Sequence, residues 1–140
     1  MSFAKHARAR VLQLPKESSG GCNAGSSETA REEPIRWGCI GTGNIASAMA
    51  QQLSRMPDAK MEVLCSASGK PAASIEAERV KFGYDRASTL DELVSDPNVD
   101  VVYVASANTA HFAHSLAALK GGKHVLCEKP MAHNRDECRQ

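Results

Sequence analysis

Aromatic residues are scarce in this chain: 1 Trp, 2 Tyr and 3 Phe make up 4% of 140 residues. Ala, Val and Ser are plentiful instead, a balance that suits the close-packed interior of an α/β sheet protein. An excess of either charge is also missing. The formal net charge is +1, which gives no electrostatic reason to expect nucleic acid, an anionic membrane or a polyanionic partner. No apolar run approaches the roughly 18 residues of a membrane-spanning helix. The N-terminus lacks the apolar segment of a secretory signal. Cysteine pairs at C-x-x-C spacing are absent, and the total of 5 is odd. Cys39, Cys65 and Cys127 sit in the apolar runs WGCIG, VLCSA and HVLCE, where a thiol behaves as a small buried hydrophobe. Together with Cys22 and Cys138 they exclude a disulfide framework and point to a reducing compartment, the cytoplasm.

A chain of 140 residues suits one ordinary domain. Residues 1–33 differ in kind from the rest. They show no sustained helical or strand period, and the stretch from Lys16 to Thr29 is dominated by Ser and Gly. Such a segment buries too little apolar surface to offset its ordering entropy, so a disordered leader is expected. Lys5, Arg8, Arg10 and Lys16 occur there without an acid before Glu17. That composition suits an organelle transit peptide as well as a plain extension or a misplaced start.

From Pro34 onward, apolar runs alternate with helical patterns. Strands are expected at 35–40, 61–65, 84–86, 99–105 and 123–127. Helices are expected at 44–55, 70–82, 88–94 and 110–120. In the first helix, Ile45, Ala48, Met49, Gln52 and Leu53 are read as the buried face, and Ser88 is read as the cap of the third. Asn134 looks like the cap of a further helix. VDVVYVA is apolar on both faces except at Asp100, as a central parallel strand requires. This order specifies a doubly wound, Rossmann-type α/β domain over 34–140.

Gly41-Thr42-Gly43-Asn44-Ile45-Ala46 fits G-x-G-x-x-G/A between an expected strand and an expected helix, the context the motif needs. Gly41 allows the tight turn, Gly43 lets a pyrophosphate approach the backbone, and Ala46 allows close helix–strand packing. The free N–H groups of the helix start then face the anion. The acid that usually binds the ribose 2′-hydroxyl is absent: Val63 to Ile75 contains no Asp or Glu. Ser66, Ser68 and Lys70 stand there instead, and a hydroxyl with an ammonium suits a 2′-phosphate. The cofactor read from this is NADP, with NAD possible. Ser68 as a plain helix cap and Lys70 as a solvated charge is the competing reading.

GTGNIA followed by VDVVYVASANTAHFAHSLAALKGGKHVLCEKP resembles the N-terminal domain of the Gfo/Idh/MocA oxidoreductases over about Ile35 to Cys138. The resemblance implies hydride transfer between a nicotinamide cofactor and a sugar, polyol or dihydrodiol hydroxyl. It implies that Lys129 serves the substrate oxygen and that Glu128 lies near the nicotinamide ribose. It also implies that the bond into Pro130 is often cis. The family's Ser/Thr-Pro-Asn-x-x-His segment corresponds to Ser106-Ala107-Asn108-Thr109-Ala110-His111, so Ser106, Asn108 and His111 are expected to line the cofactor while Ala107 replaces the proline. His111 and His114 share a helical face but lack a third ligand, so no metal is expected. Full-length members are over twice this long, are usually homo-oligomers and carry a second, mostly antiparallel substrate domain. The expectation is therefore an NAD(P)-binding half, inactive alone. A cofactor-binding module without catalysis and a truncated gene product remain as alternatives.

Overall fold

The structure, a computed structural model, describes residues 33–68 and 71–139. The expected leader, apart from Glu33, lies outside the described residues, and so does Lys70. Five parallel strands, β1 (Ile35–Ile40), β2 (Ala59–Cys65), β3 (Arg86–Ser88), β4 (Val101–Val104) and β5 (His124–Cys127), form one sheet in the order β3-β2-β1-β4-β5. The helices are α1 (Asn44–Leu53), α2 (Glu76–Phe82), α3 (Leu90–Ser95) and α4 (His111–Lys120). The fold is the expected doubly wound α/β architecture.

Strand periodicity places successive side chains on opposite faces of the sheet. Cys39, Leu64 and Tyr103 pack on one side with Ala46, Ala50 and Phe82 of α1 and α2. Ile40, Val63, Cys65, Val102 and Val104 pack on the other with Leu93 of α3 and Ala118 of α4. The central strands are thus apolar on both faces because both faces are covered. Burial pushes the Cys39 thiol up to about 12 and the Cys65 thiol up to about 11, so both stay protonated as small core groups.

Several local expectations need correction. The buried face of α1 is Ala46, Ala50 and Leu53, while Ile45 is 51% exposed. Ala48 and Gln52, expected on that face, are exposed. Ala46 and Ala50 let α1 lie close to the sheet, while Leu53 is buried as expected and Met49 packs against the core. The expected 70–82 helix is a 3-10 turn over Ala72–Ile75 followed by α2. Tyr84 is a core anchor, 1% exposed, and the third strand starts at Arg86 because its register runs against Val63 to Cys65. Thr89, not Ser88, caps α3: its hydroxyl accepts from the Glu92 N–H at 3.3 Å while Glu92 accepts from the Thr89 N–H at 2.8 Å. Both positions precede an acid by three residues, but Ser88 is buried and donates to the Thr89 carbonyl instead. Asn134 does cap a turn, accepting from the Glu137 N–H at 2.9 Å ahead of the 3-10 stretch Glu137–Arg139.

At the opposite end of the sheet from the strand C-termini, Arg36 and Asp100 tie β1 to β4. The guanidinium donates to both Asp100 carboxylate oxygens, at 3.0 and 2.7 Å, and holds that carboxyl below its usual range. Asp100, the one polar residue in the VDVVYVA run, therefore sits just before the strand rather than within it. Among the described residues no helix is long and apolar enough to cross a membrane.

Candidate functional site

The chain leaves β1 toward β2 on one side, and returns from β3 to β4 on the other. The loops after β1 and β4 diverge there and leave a crevice, which is where ligands bind in open sheets of this kind. Main-chain bonds fix the three loops that surround it. The Gly41 N–H donates to the Cys65 carbonyl at 2.9 Å, the Ala105 N–H to Ile40 at 2.9 Å, and the Glu128 N–H to Val104 at 3.0 Å.

The two glycines of the first loop are needed for different reasons. Gly41 has φ 128°, and a Cβ there would lie 2.3 Å from the Ala105 carbonyl oxygen. Its glycine is required by the fold. Gly43 has φ −81° and ψ −179°, open to any residue, and among the described residues a Cβ there would meet nothing within 4 Å. Neither backbone strain nor packing asks for glycine at 43. The position opens onto the start of α1, which has neither a side-chain cap nor an acid in its first turn. The N–H groups of that turn have no partner inside the helix and carry the positive end of its dipole. A bare helix start beside an unfilled cradle fits a pyrophosphate.

Ile45, Ser106, Asn108, His111, Glu128 and Lys129 line one open cleft of about 270 Å³ beside this loop. These residues come from the start of α1, the loop after β4 and the loop after β5. Thr42 is half-buried in the glycine loop, and Asn44 is exposed at the helix start. Lys129 is exposed, and the Lys129–Pro130 peptide bond is cis. His111 is 1% exposed, and its Nδ1 lies 2.8 Å from the Pro130 carbonyl and its Nε2 3.0 Å from the Ser106 carbonyl. It braces one loop against the other, with both ring nitrogens turned to backbone carbonyls. Ser106 Oγ lies 2.9 Å from His114 Nδ1. Burial, with His111 nearby, lowers the proton affinity of His114.

At the end of β2, Ser66 is buried and its hydroxyl lies 3.1 Å from that of Ser68. The Ser68 N–H also donates to Ser66 Oγ at 3.3 Å. These two serines are brought together, but they line the end of a different strand from the Lys129 cleft.

Two residues of this region escaped the motif reading. His114 was considered only as a metal ligand, and its contact with Ser106 is not visible in spacing. Tyr103 was read only as part of an apolar strand. Its ring is 3% exposed, and its hydroxyl donates to Glu128 Oε1 at 2.5 Å. A tyrosine in an otherwise aliphatic strand was the available signal, because a buried phenol needs a polar partner.

Comparison with known proteins agrees with this geometry. A family model described as an oxidoreductase family with an NAD-binding Rossmann fold matches residues 35–140. The chain is 38% identical over 106 residues to a 1,5-anhydro-D-fructose reductase of Ensifer adhaerens, covering 75% of this chain and 31% of that protein. It is 36% identical over 107 residues to a trans-1,2-dihydrobenzene-1,2-diol dehydrogenase of Mus musculus, covering 76% and 32%. The crystal structure of a Synechocystis biliverdin reductase, in complex with biliverdin and NADP+, superposes with a TM-score of 0.67 at 29% identity, covering 76% of this chain and 33% of that one. The chain therefore spans about a third of the length of these relatives.

Proposed function

The chain belongs to the Gfo/Idh/MocA oxidoreductase family, and we propose that this domain holds the cofactor for hydride transfer between NADP(H) and a hydroxyl-bearing carbon of a small sugar, polyol or dihydrodiol. The observation that carries the reading is the cradle at Gly43, open where a Cβ would fill it, beside a cleft lined by Lys129. The bound dinucleotide supplies the carbon that gives or takes hydride. The chain's own residues do the rest. The glycine loop and the first N–H groups of α1 hold the pyrophosphate. Ile45 gives the cleft an apolar wall. Lys129 places an ammonium at the cleft, where it holds the proton at the substrate oxygen. His111 and Ser106 keep the loops after β4 and β5 at a fixed separation. The substrate class rests on the names of the relatives, a sugar reductase and a dihydrodiol dehydrogenase.

The absence of an acid from Val63 to Ile75, together with the Ser66–Ser68 pair, supports NADP over NAD. Ser68→Asp is expected to weaken NADPH at least about tenfold more than NADH, since the new charge opposes a 2′-phosphate. Titration calorimetry with each cofactor reads the ratio. Equal changes for both would show that the end of β2 does not read the 2′ position.

The chemistry is tested at Lys129. In a polypeptide that joins this domain to the further length its relatives possess, Lys129→Ala is expected to lower turnover about 100-fold or more. NADPH affinity should stay within about twofold, because the loss lies in proton transfer rather than cofactor binding. Steady-state assays with sugars, inositols and dihydrodiols measure the first quantity. Retained turnover would remove Lys129 from the reaction.

A further inference from the structure

We infer that Tyr103 is a positioning residue for Glu128, and that through Glu128 it sets the grip on the nicotinamide-side ribose of the dinucleotide. The inference rests on the dinucleotide reading of the cleft. Tyr103 sits on β4 in the core cluster of Cys39, Ala46 and Ala105, and its hydroxyl meets the residue that follows β5. There it donates to Glu128 Oε1 at 2.5 Å. Burial, and then the bond to Glu128, push the phenol well above its ordinary range, so it remains a donor at any physiological pH. Glu128 is held a second time by its own main chain, through the N–H bond to Val104. Backbone and Oε1 are thus both tethered, which restricts the carboxylate. Its Oε2 has no hydrogen-bond partner among the described residues, and the side chain lines the cleft with Ser106, Asn108 and Lys129.

Strand spacing sets how far this oxygen stands from the phosphate loop. Glu128 follows β5, two strands from β1 in the sheet. At about 4.8 Å per strand, that is roughly 10 Å from the phosphate loop. The family resemblance implies that the residue at this position lies near the nicotinamide ribose. A ribose diol donates hydrogen bonds, and a fixed carboxylate oxygen accepts them strongly. Without the phenol, Glu128 is free to turn toward the Lys129 ammonium or to solvent.

The test compares two ligands on the 140-residue chain by calorimetry. NADPH carries the second ribose, and 2′,5′-ADP stops short of it. Tyr103→Phe, which removes one oxygen and keeps the ring, is expected to weaken NADPH about tenfold and to change 2′,5′-ADP by less than about twofold. Glu128→Ala should behave the same way, and Tyr103→Phe should add nothing in the Glu128→Ala background. An unchanged 2′,5′-ADP affinity also shows that the variants are folded. Equal loss of both ligands would make Tyr103 a packing residue and overturn the inference. So would an undiminished effect in the Glu128→Ala background, or NADPH affinity that Tyr103→Phe leaves intact. Failure of the unaltered chain to bind either ligand is a different result: it removes the dinucleotide reading itself, and this inference with it.

Discussion

Gly41→Ala is expected to destabilise the fold by about 3 kcal/mol or more. The residue has φ 128°, a region closed to side chains, and the new Cβ would lie 2.3 Å from a backbone oxygen of Ala105. The strain of such a φ is of order 1–3 kcal/mol. The overlap adds to it, because the oxygen belongs to the segment leaving β4 and cannot swing aside as a flexible side chain would. Ala105 is itself pinned by its N–H bond to Ile40. Relief requires β1 and β4 to part at their C-terminal ends, where the two core clusters meet the loops. A loss of about 3 kcal/mol is a large share of the 5–15 kcal/mol typical of a domain. A thermal melt followed by circular dichroism should therefore shift down by about 15 °C or more. An unchanged melting temperature would mean that the β1–β4 crevice is looser than the geometry requires.

Gly43→Val is the complementary case. Two residues further along the same loop, φ is −81° and open space surrounds the place of a Cβ. The substitution should leave the melting temperature within a few degrees, since it strains no backbone and displaces no neighbour. Its branched side chain would occupy the cradle in front of the first turn of α1. A bound pyrophosphate would need that space, because Gly43 is the residue that precedes the first turn of α1. The expected result is a folded protein with no measurable NADPH binding by calorimetry. Undiminished affinity in this variant would take the glycine loop out of the account.

The architecture was legible in the chain because its central strands are buried on both faces. A run such as VDVVYVA has few other uses, and alternation with short helical patterns leaves one class of topology. The phosphate loop was legible for the same kind of reason, since a glycine pair between strand and helix has a geometric meaning. The differing reasons for Gly41 and Gly43 were not. One answers to a carbonyl just after β4, 64 residues away in sequence, and the other answers to nothing among the described residues. The face of α1 was read correctly at Leu53 and, in part, at Met49, but it was rotated away from Ala46 and Ala50 toward Ile45, Ala48 and Gln52. Close approach to the sheet selects Ala46 and Ala50 instead and leaves Ile45 exposed at the cleft.

Capping of α3 shows the limit of local spacing. Ser88-x-x-Asp91 and Thr89-x-x-Glu92 satisfy the same pattern, and tertiary burial of Ser88 decides between them. At the cleft, the motif reading supplied the residues but not their connections. His111 lines the cleft while almost fully buried, and it braces the Ser106 loop against Pro130. The Tyr103–Glu128 bond joins the strand run to the Glu-Lys-Pro run, 25 residues apart, and only the parallel register of β4 with β5 brings them together.

The central claim is that this domain holds a nicotinamide dinucleotide across the β1–β4 crevice. Calorimetric titration of the chain with NADPH tests it most directly, with 2′,5′-ADP added as competitor. The account predicts saturable binding at one site per chain, displaced by 2′,5′-ADP and abolished in Gly43→Val. Folded, monodisperse protein that releases no binding heat with NADPH or NADH would contradict it.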